Sequence, residues 1–241
     1  MELLSRILAA LLLAYLVLLE PVLGVRLYRG FLRRLAVDAA ARRRYYRMII
    51  AWEWSWMAIV VLIMLPVPHS LAAIGLVNPN SIGWGLGTGI LVGLLISTAA
   101  FSSNAQMQDW FRRMLSGVEA LLPATRIERW LYAGVSVSAG VCEELVFRGF
   151  VRFYLQGFGV PILLIVLLSA LIFGMAHWYQ GWKGAAQTAL LGAVLMALYV
   201  LSNSLVPCVV FHALVDLRIL LIYRGPGGSG GTIVSGADKA S

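Results

Sequence analysis

Apolar runs long enough to make a membrane helix alternate along this chain with short polar stretches, which are rich either in arginine or in glycine and proline. A spanning helix needs about 20 mainly apolar residues. The first run covers residues 7–23. It is longer than the apolar part of a secretory signal and no small-residue cleavage site follows it, so it reads as a retained helix despite Glu20-Pro21 near its end. Further spans are expected over residues 48–67, 82–101, 130–156, 162–177, 185–201 and 205–223. The fold class is then all-α, a polytopic transmembrane helix bundle of about seven spans (six to eight). A hydropathy window underestimates the fourth run because Glu143, Glu144, Arg148 and Arg152 interrupt it. Gly157 and Gly159 end that helix, and Pro161 opens the next near its first turn, where proline is tolerated.

The polar stretches set the expected orientation. Residues 26–47 hold Arg26, Arg29, Arg33, Arg34, Arg42, Arg43, Arg44 and Arg47 against the single acid Asp38, which reads as a cytoplasmic segment. Within it, Tyr28, Phe31, Leu32 and Leu35 recur at near-helical spacing and suggest an interfacial helix. Residues 102–129, with Arg112, Arg113, Arg126 and Arg129, return to the same side, and residues 107–122 are expected along the membrane surface. Seven spans then put the N-terminus outside and the tail inside. Trp52, Trp54 and Trp56 read as an interface belt, His69 as a loop histidine, and Gly83, Gly85, Gly87, Gly89 and Gly93 as a close-packing helix face. Three regions follow: N-terminal membrane helices with basic cytoplasmic loops (1–125), a helical core (126–223), and a glycine- and serine-rich tail (224–241) expected to be disordered.

Composition agrees with a membrane protein. The chain is 61% hydrophobic and 12% charged, where a soluble domain has about 25% charged residues. The net charge of +8 is concentrated beside the spans, so it reads as topology and lipid contact, with no nucleic-acid partner. Cys142 and Cys208 both fall within expected helices and give no disulfide framework.

Three polar constellations remain inside the apolar runs: Glu143-Glu144-(x)3-Arg148, Phe173-(x)3-His177 and His212-(x)3-Asp216. Ionisable groups are costly in hydrocarbon and face a bundle interior or a wet cavity. Glu144 stands four residues before Arg148, the favoured orientation for a helical ion pair, while Glu143 points about 100° away. One carboxylate is therefore neutralised and the other left free as a general base. By spacing alone, Asp216 accepts from one ring nitrogen of His212 and turns the other into the bundle. Packing glue between helices is the plain alternative. Glu143, His177 and His212 are also plausible zinc ligands, although the HExxH spacing is absent, and Cys142 is a weaker candidate nucleophile. A proton- or ion-coupled transporter could use the same groups, but no repeated halves are evident. A non-catalytic immunity-type membrane protein is a further alternative.

The motifs Glu-Glu-x-x-x-Arg, Phe-x-x-x-His and His-x-x-x-Asp, in that order, resemble the CAAX prenyl protease type II family, also called the CPBP or Abi family of glutamic intramembrane proteases. The resemblance covers residues 143–216. It implies that Glu143 activates water, that Glu144 and Arg148 support it, that His177 orients the water, and that His212 and Asp216 lie on the oxyanion side. Members with Asn at the last position can donate an amide proton where Asp216 cannot unless protonated, so Asp216 is expected to orient His212. The implied activity is an intramembrane endopeptidase, acting without metal or cofactor on a membrane-associated protein or peptide in the lipid bilayer. The expected location is the cell (inner) membrane of a prokaryote.

Overall fold

The computed structural model describes residues 3–223, so the expected disordered tail lies outside the described residues. Every element among them is helical. Helix α1 (Leu3–Leu18) and α2 (Glu20–Leu35) are bent by 50° at Leu19, with Pro21 in the first turn of α2, where its missing N–H breaks no helical bond. The first apolar run is therefore a broken helix pair, and α2 takes up much of the arginine-rich stretch. Helix α3 (Ala41–Met64) is followed by the short α4 (Ser70–Ala73), with His69 exposed in the turn between them at positive φ. Asn80 and Asn104 cap α5 (Ser81–Ser103) and α6 (Ala105–Met114) through their side-chain oxygens. Two short turns lead into α7 (Arg126–Glu143), which opens on a capping box between Thr125 and Glu128.

Helix α7 does not stop at Glu143. It widens into a π-helical turn over Glu144–Phe150 and resumes as α8 (Val151–Gln156). Helices α9 (Ile162–Ala176), α10 (Gly181–Ser202), α11 (Val206–Leu217) and α12 (Ile219–Ile222) complete the bundle. A π-helical turn shifts the carbonyls off their usual partners and is frequent at functional sites. Here the Ser169 hydroxyl on α9 donates to the Phe147 carbonyl at 2.8 Å.

The expected count of about seven spans is not reached. By length and composition, four segments can cross a membrane: Ala41–Met64, Ser81–Ser103, Arg126–Gln156 and Trp178–Ser202, or five if the bent α1–α2 pair is one span. Helix α9 has 15 residues and α11 only 12, below the roughly 17 that a crossing needs. The last apolar run was longer than the helix it contains, because hydropathy does not register the break at Arg218. Outward-facing Leu62, Leu95, Ile96, Leu163, Leu167 and Leu190 are all exposed. Large apolar side chains over the outer surface of such long helices mark an integral membrane protein.

One buried cluster joins Leu12 and Leu16 of α1, Ile63 and Met64 of α3, Phe150, and Phe173 of α9. The N-terminal helices thus share a core with the motif-bearing ones. The glycines of α5 were expected to mark a close-packing face, but only Gly83 is tightly apposed, 2.6 Å from Ser202 for an added Cβ; Gly85, Gly89 and Gly93 face open space. The closest approaches lie elsewhere. A Cβ on Gly140 of α7 would stand 2.8 Å from the Ala213 nitrogen of α11, and one on Gly174 of α9 would stand 2.8 Å from the Ala185 carbonyl of α10. The first contact brings two motif-bearing helices, α7 and α11, together, and the second packs the third, α9, against α10.

Candidate active site

Glu144 and Arg148 form the floor of the site. Arg148 Nη1 lies 2.9 Å from Glu144 Oε1, and both side chains are fully buried. The guanidinium also lies 3.9 Å over the Phe173 ring, where it meets the negative face of the aromatic system. The wider π turn still leaves these two residues on one face. The same Glu144 oxygen accepts a second bond, from His212 Nδ1 at 2.7 Å. Asp216, expected from its spacing to hold His212, lies 3.9 Å from the opposite ring nitrogen, Nε2, beyond hydrogen-bond range. The hydrogen-bonding carboxylate therefore comes from another segment, and within α11 His212 and Asp216 stand at ion-pair distance without a hydrogen bond.

His177 is fixed in the same manner by a different group. Its Nδ1 lies 2.8 Å from the Phe173 carbonyl. A carbonyl oxygen only accepts, so Nδ1 carries the proton and Nε2 of the neutral ring presents a lone pair. Both histidines thus turn Nε2 towards Glu143. His177 Nε2 is 3.9 Å from Glu143 Oε1, and His212 Nε2 is 3.8 Å from Glu143 Oε2. These separations are too long for direct hydrogen bonds and suit an intervening small molecule. Glu143 Oε2 is buried and has no hydrogen-bond partner.

The structure brings Glu143, Glu144, Arg148, His177, His212 and Asp216 into one connected group. Glu143, His177, His212 and Asp216 line a cavity of about 340 Å³, and Glu144 and Arg148 lie behind its wall. Across its end runs the segment 115–122, whose carbonyls accept from Tyr28 (3.0 Å to Gly117), Arg42 Nε (3.0 Å to Ala120) and Tyr46 (to Leu121). Among the described residues no cluster of three or more His, Cys, Asp or Glu has a metal-binding arrangement. Cys142 and Cys208 are buried and unpaired.

Sequence reasoning named Phe173 in a motif without giving it a role, and it missed Glu20 and Glu53. Phe173 touches Arg148 with its ring and His177 with its carbonyl, and its ring centroid lies 4.6 Å from that of His177. Its place four residues before His177 was the available signal. Glu20 and Glu53 also line the cavity, opposite the motif helices. Nor are the tryptophans a plain interface belt: Trp52 and Trp56 line the cavity, Trp52 Nε1 donates to Glu20 Oε1 at 3.3 Å, and Trp54 Nε1 donates to Ser138 at 3.0 Å.

The position of Asp216 carries a prediction. Its carboxylate faces the same nitrogen of His212 as Glu143 does, so Asp216→Asn removes a charge from that nitrogen while adding an amide donor. A rate loss on the order of tenfold, about 1.4 kcal/mol in the barrier, is expected, with a larger loss for Asp216→Ala. Equal rates for wild type and Asp216→Ala would reduce Asp216 to a wall residue.

No curated protein and no solved structure matches this chain. Residues 125–218, which hold all six of these residues, match the family model described as type II CAAX prenyl endopeptidase Rce1-like.

Proposed function

We propose that this protein is an intramembrane endopeptidase in which Glu143 activates a water molecule for attack on a peptide carbonyl. The observation that supports this most directly is the arrangement around Glu143: each of its oxygens faces the Nε2 atom of a histidine whose Nδ1 is already tied to the protein. A water between Glu143 and His177 meets two acceptors. It donates both protons to them and directs an oxygen lone pair into the cavity, and Glu143 takes the proton as the attack proceeds. On the opposite side, His212 in its doubly protonated form donates through Nε2 to the developing oxyanion, a contact worth a few kcal/mol in comparable sites. Glu144 and Arg148 hold His212 in position from below. The substrate class is a membrane-associated protein or peptide, in keeping with the endopeptidase family matched over residues 125–218.

The test is cleavage of a library of membrane-anchored peptides by the purified protein in liposomes, with Glu143→Ala as the control. Cleavage by wild type alone supports the reading; cleavage by both proteins overturns it. A second measurement separates the glutamate mechanism from a zinc-dependent one at the same residues. Activity should survive strong chelators, and elemental analysis should find no stoichiometric zinc. Loss of activity on chelation with recovery on adding zinc would favour the metal mechanism.

A further inference from the structure

Outside the arginine-rich stretches, the cavity has a charge opposite to that of the chain as a whole. The protein carries +8, yet among the described residues those lining the cavity include four carboxylates, Glu20, Glu53, Glu143 and Asp216, and no lysine or arginine. Two of these are accounted for near the histidines. Glu20 is held as an acceptor by the Tyr15 hydroxyl at 2.5 Å and by Trp52 Nε1. Glu53 shares one property with Glu143: its Oε2 is shut off from solvent and has no hydrogen-bond partner. Leaving a carboxylate oxygen buried without a donor is costly, and in a membrane protein such a group is rarely retained without a partner.

The surroundings of Glu53 indicate what that partner is. Trp52 and Trp56 stand near it in sequence on α3, their rings 5.9 Å apart and nearly perpendicular, and both line the cavity together with Tyr45. Aromatic faces attract cations and also cover the aliphatic stem of a long basic side chain. A wall of one charge sign in a narrow apolar cleft further concentrates the opposite charge.

The register of α3 on α7 places this Glu53 arm of the cavity relative to the reacting bond. Arg42 pairs with Glu128 at 3.1 Å and Trp54 with Ser138 at 3.0 Å, so the two helices run in the same direction. Glu53 then stands about six residues of helix rise, roughly 8–9 Å, from Glu143, towards the arginine-rich end. An extended peptide covers that distance in about two to three residues.

We propose that the Glu53 arm is a specificity subsite that takes a lysine or arginine side chain of the substrate, about two to three residues from the bond cleaved at Glu143. The inference rests on the peptidase reading for the identity of the ligand as a peptide. Glu53 acts on substrate selection and takes no part in the proton transfer.

The experiment measures binding, so that its result is separate from that of the cleavage assay. Fluorescent single-span peptides in liposomes, with one lysine walked through successive positions and norleucine as its neutral counterpart, are titrated against the Glu143→Gln protein and the Glu143→Gln/Glu53→Gln protein. At one or two adjacent positions the lysine peptide should bind at least tenfold more tightly than the norleucine peptide. Glu53→Gln, which keeps size and loses charge, should abolish that difference and leave norleucine binding unchanged. No discrimination at any position, discrimination that survives Glu53→Gln, or an equal loss for both peptides would each overturn the proposal. Failure of wild-type cleavage with discrimination intact would count against the peptidase mechanism and leave the subsite standing.

Discussion

Glu143→Gln is expected to lower peptide hydrolysis by about 10²- to 10⁴-fold, the usual contribution of general acid–base catalysis, with no measurable loss of folding. The reason lies in the division of labour between the two adjacent glutamates. Arg148 and His212 both bind Glu144, so the buried ion pair does not depend on Glu143. The amide keeps the volume of the carboxylate but cannot accept the proton of water. Single-turnover cleavage in liposomes, with thermal unfolding of the same preparations, provides both readouts. Undiminished cleavage by a well-folded Glu143→Gln protein would rule out Glu143 as the base.

Arg148→Ala is expected to destabilise the protein by about 3–5 kcal/mol, the loss typical when one partner of a buried pair is removed. Glu144 would be left as a fully buried carboxylate with His212 as its remaining partner, and the space beneath the Phe173 ring would empty. Low yield and a lowered unfolding temperature in detergent should accompany the loss of activity. Replacing both members, Arg148→Met with Glu144→Gln, removes the two charges together and should recover much of the stability, because an apolar substitute for a buried pair is often nearly neutral. Activity should remain low, since His212 has lost the carboxylate that orients it. A stable, well-folded and inactive Arg148→Ala protein would instead assign Arg148 to the chemistry.

What could be read from the sequence was largely what local periodicity governs. Glu144 and Arg148 lie on one helix, and four-residue spacing was sufficient to pair them. The same rule brings His212 and Asp216 only to ion-pair distance, without a hydrogen bond. The hydrogen-bonding partner of His212 lies 68 positions away, and their meeting depends on how closely α7 and α11 approach at Gly140. Glu53 was overlooked because it sits among tryptophans that, taken by themselves, resemble an interface belt. The all-helical membrane architecture followed from the apolar runs, but the number of crossings did not. Helix α11 ends at Leu217, well before its apolar run does, and helix ends are set by turns and neighbouring contacts that a hydropathy profile does not register.

The cavity is assembled from two parts of the chain, one inside and one outside the segment that matches the family model. Residues that face the reacting bond lie within 125–218, whereas Glu20, Trp52, Glu53 and Trp56 lie before position 125. The proposed hydrolytic groups thus come from one portion and the opposing wall from another, joined through a shared core. Such a division would let the selectivity of the wall be changed without touching the proposed hydrolytic groups.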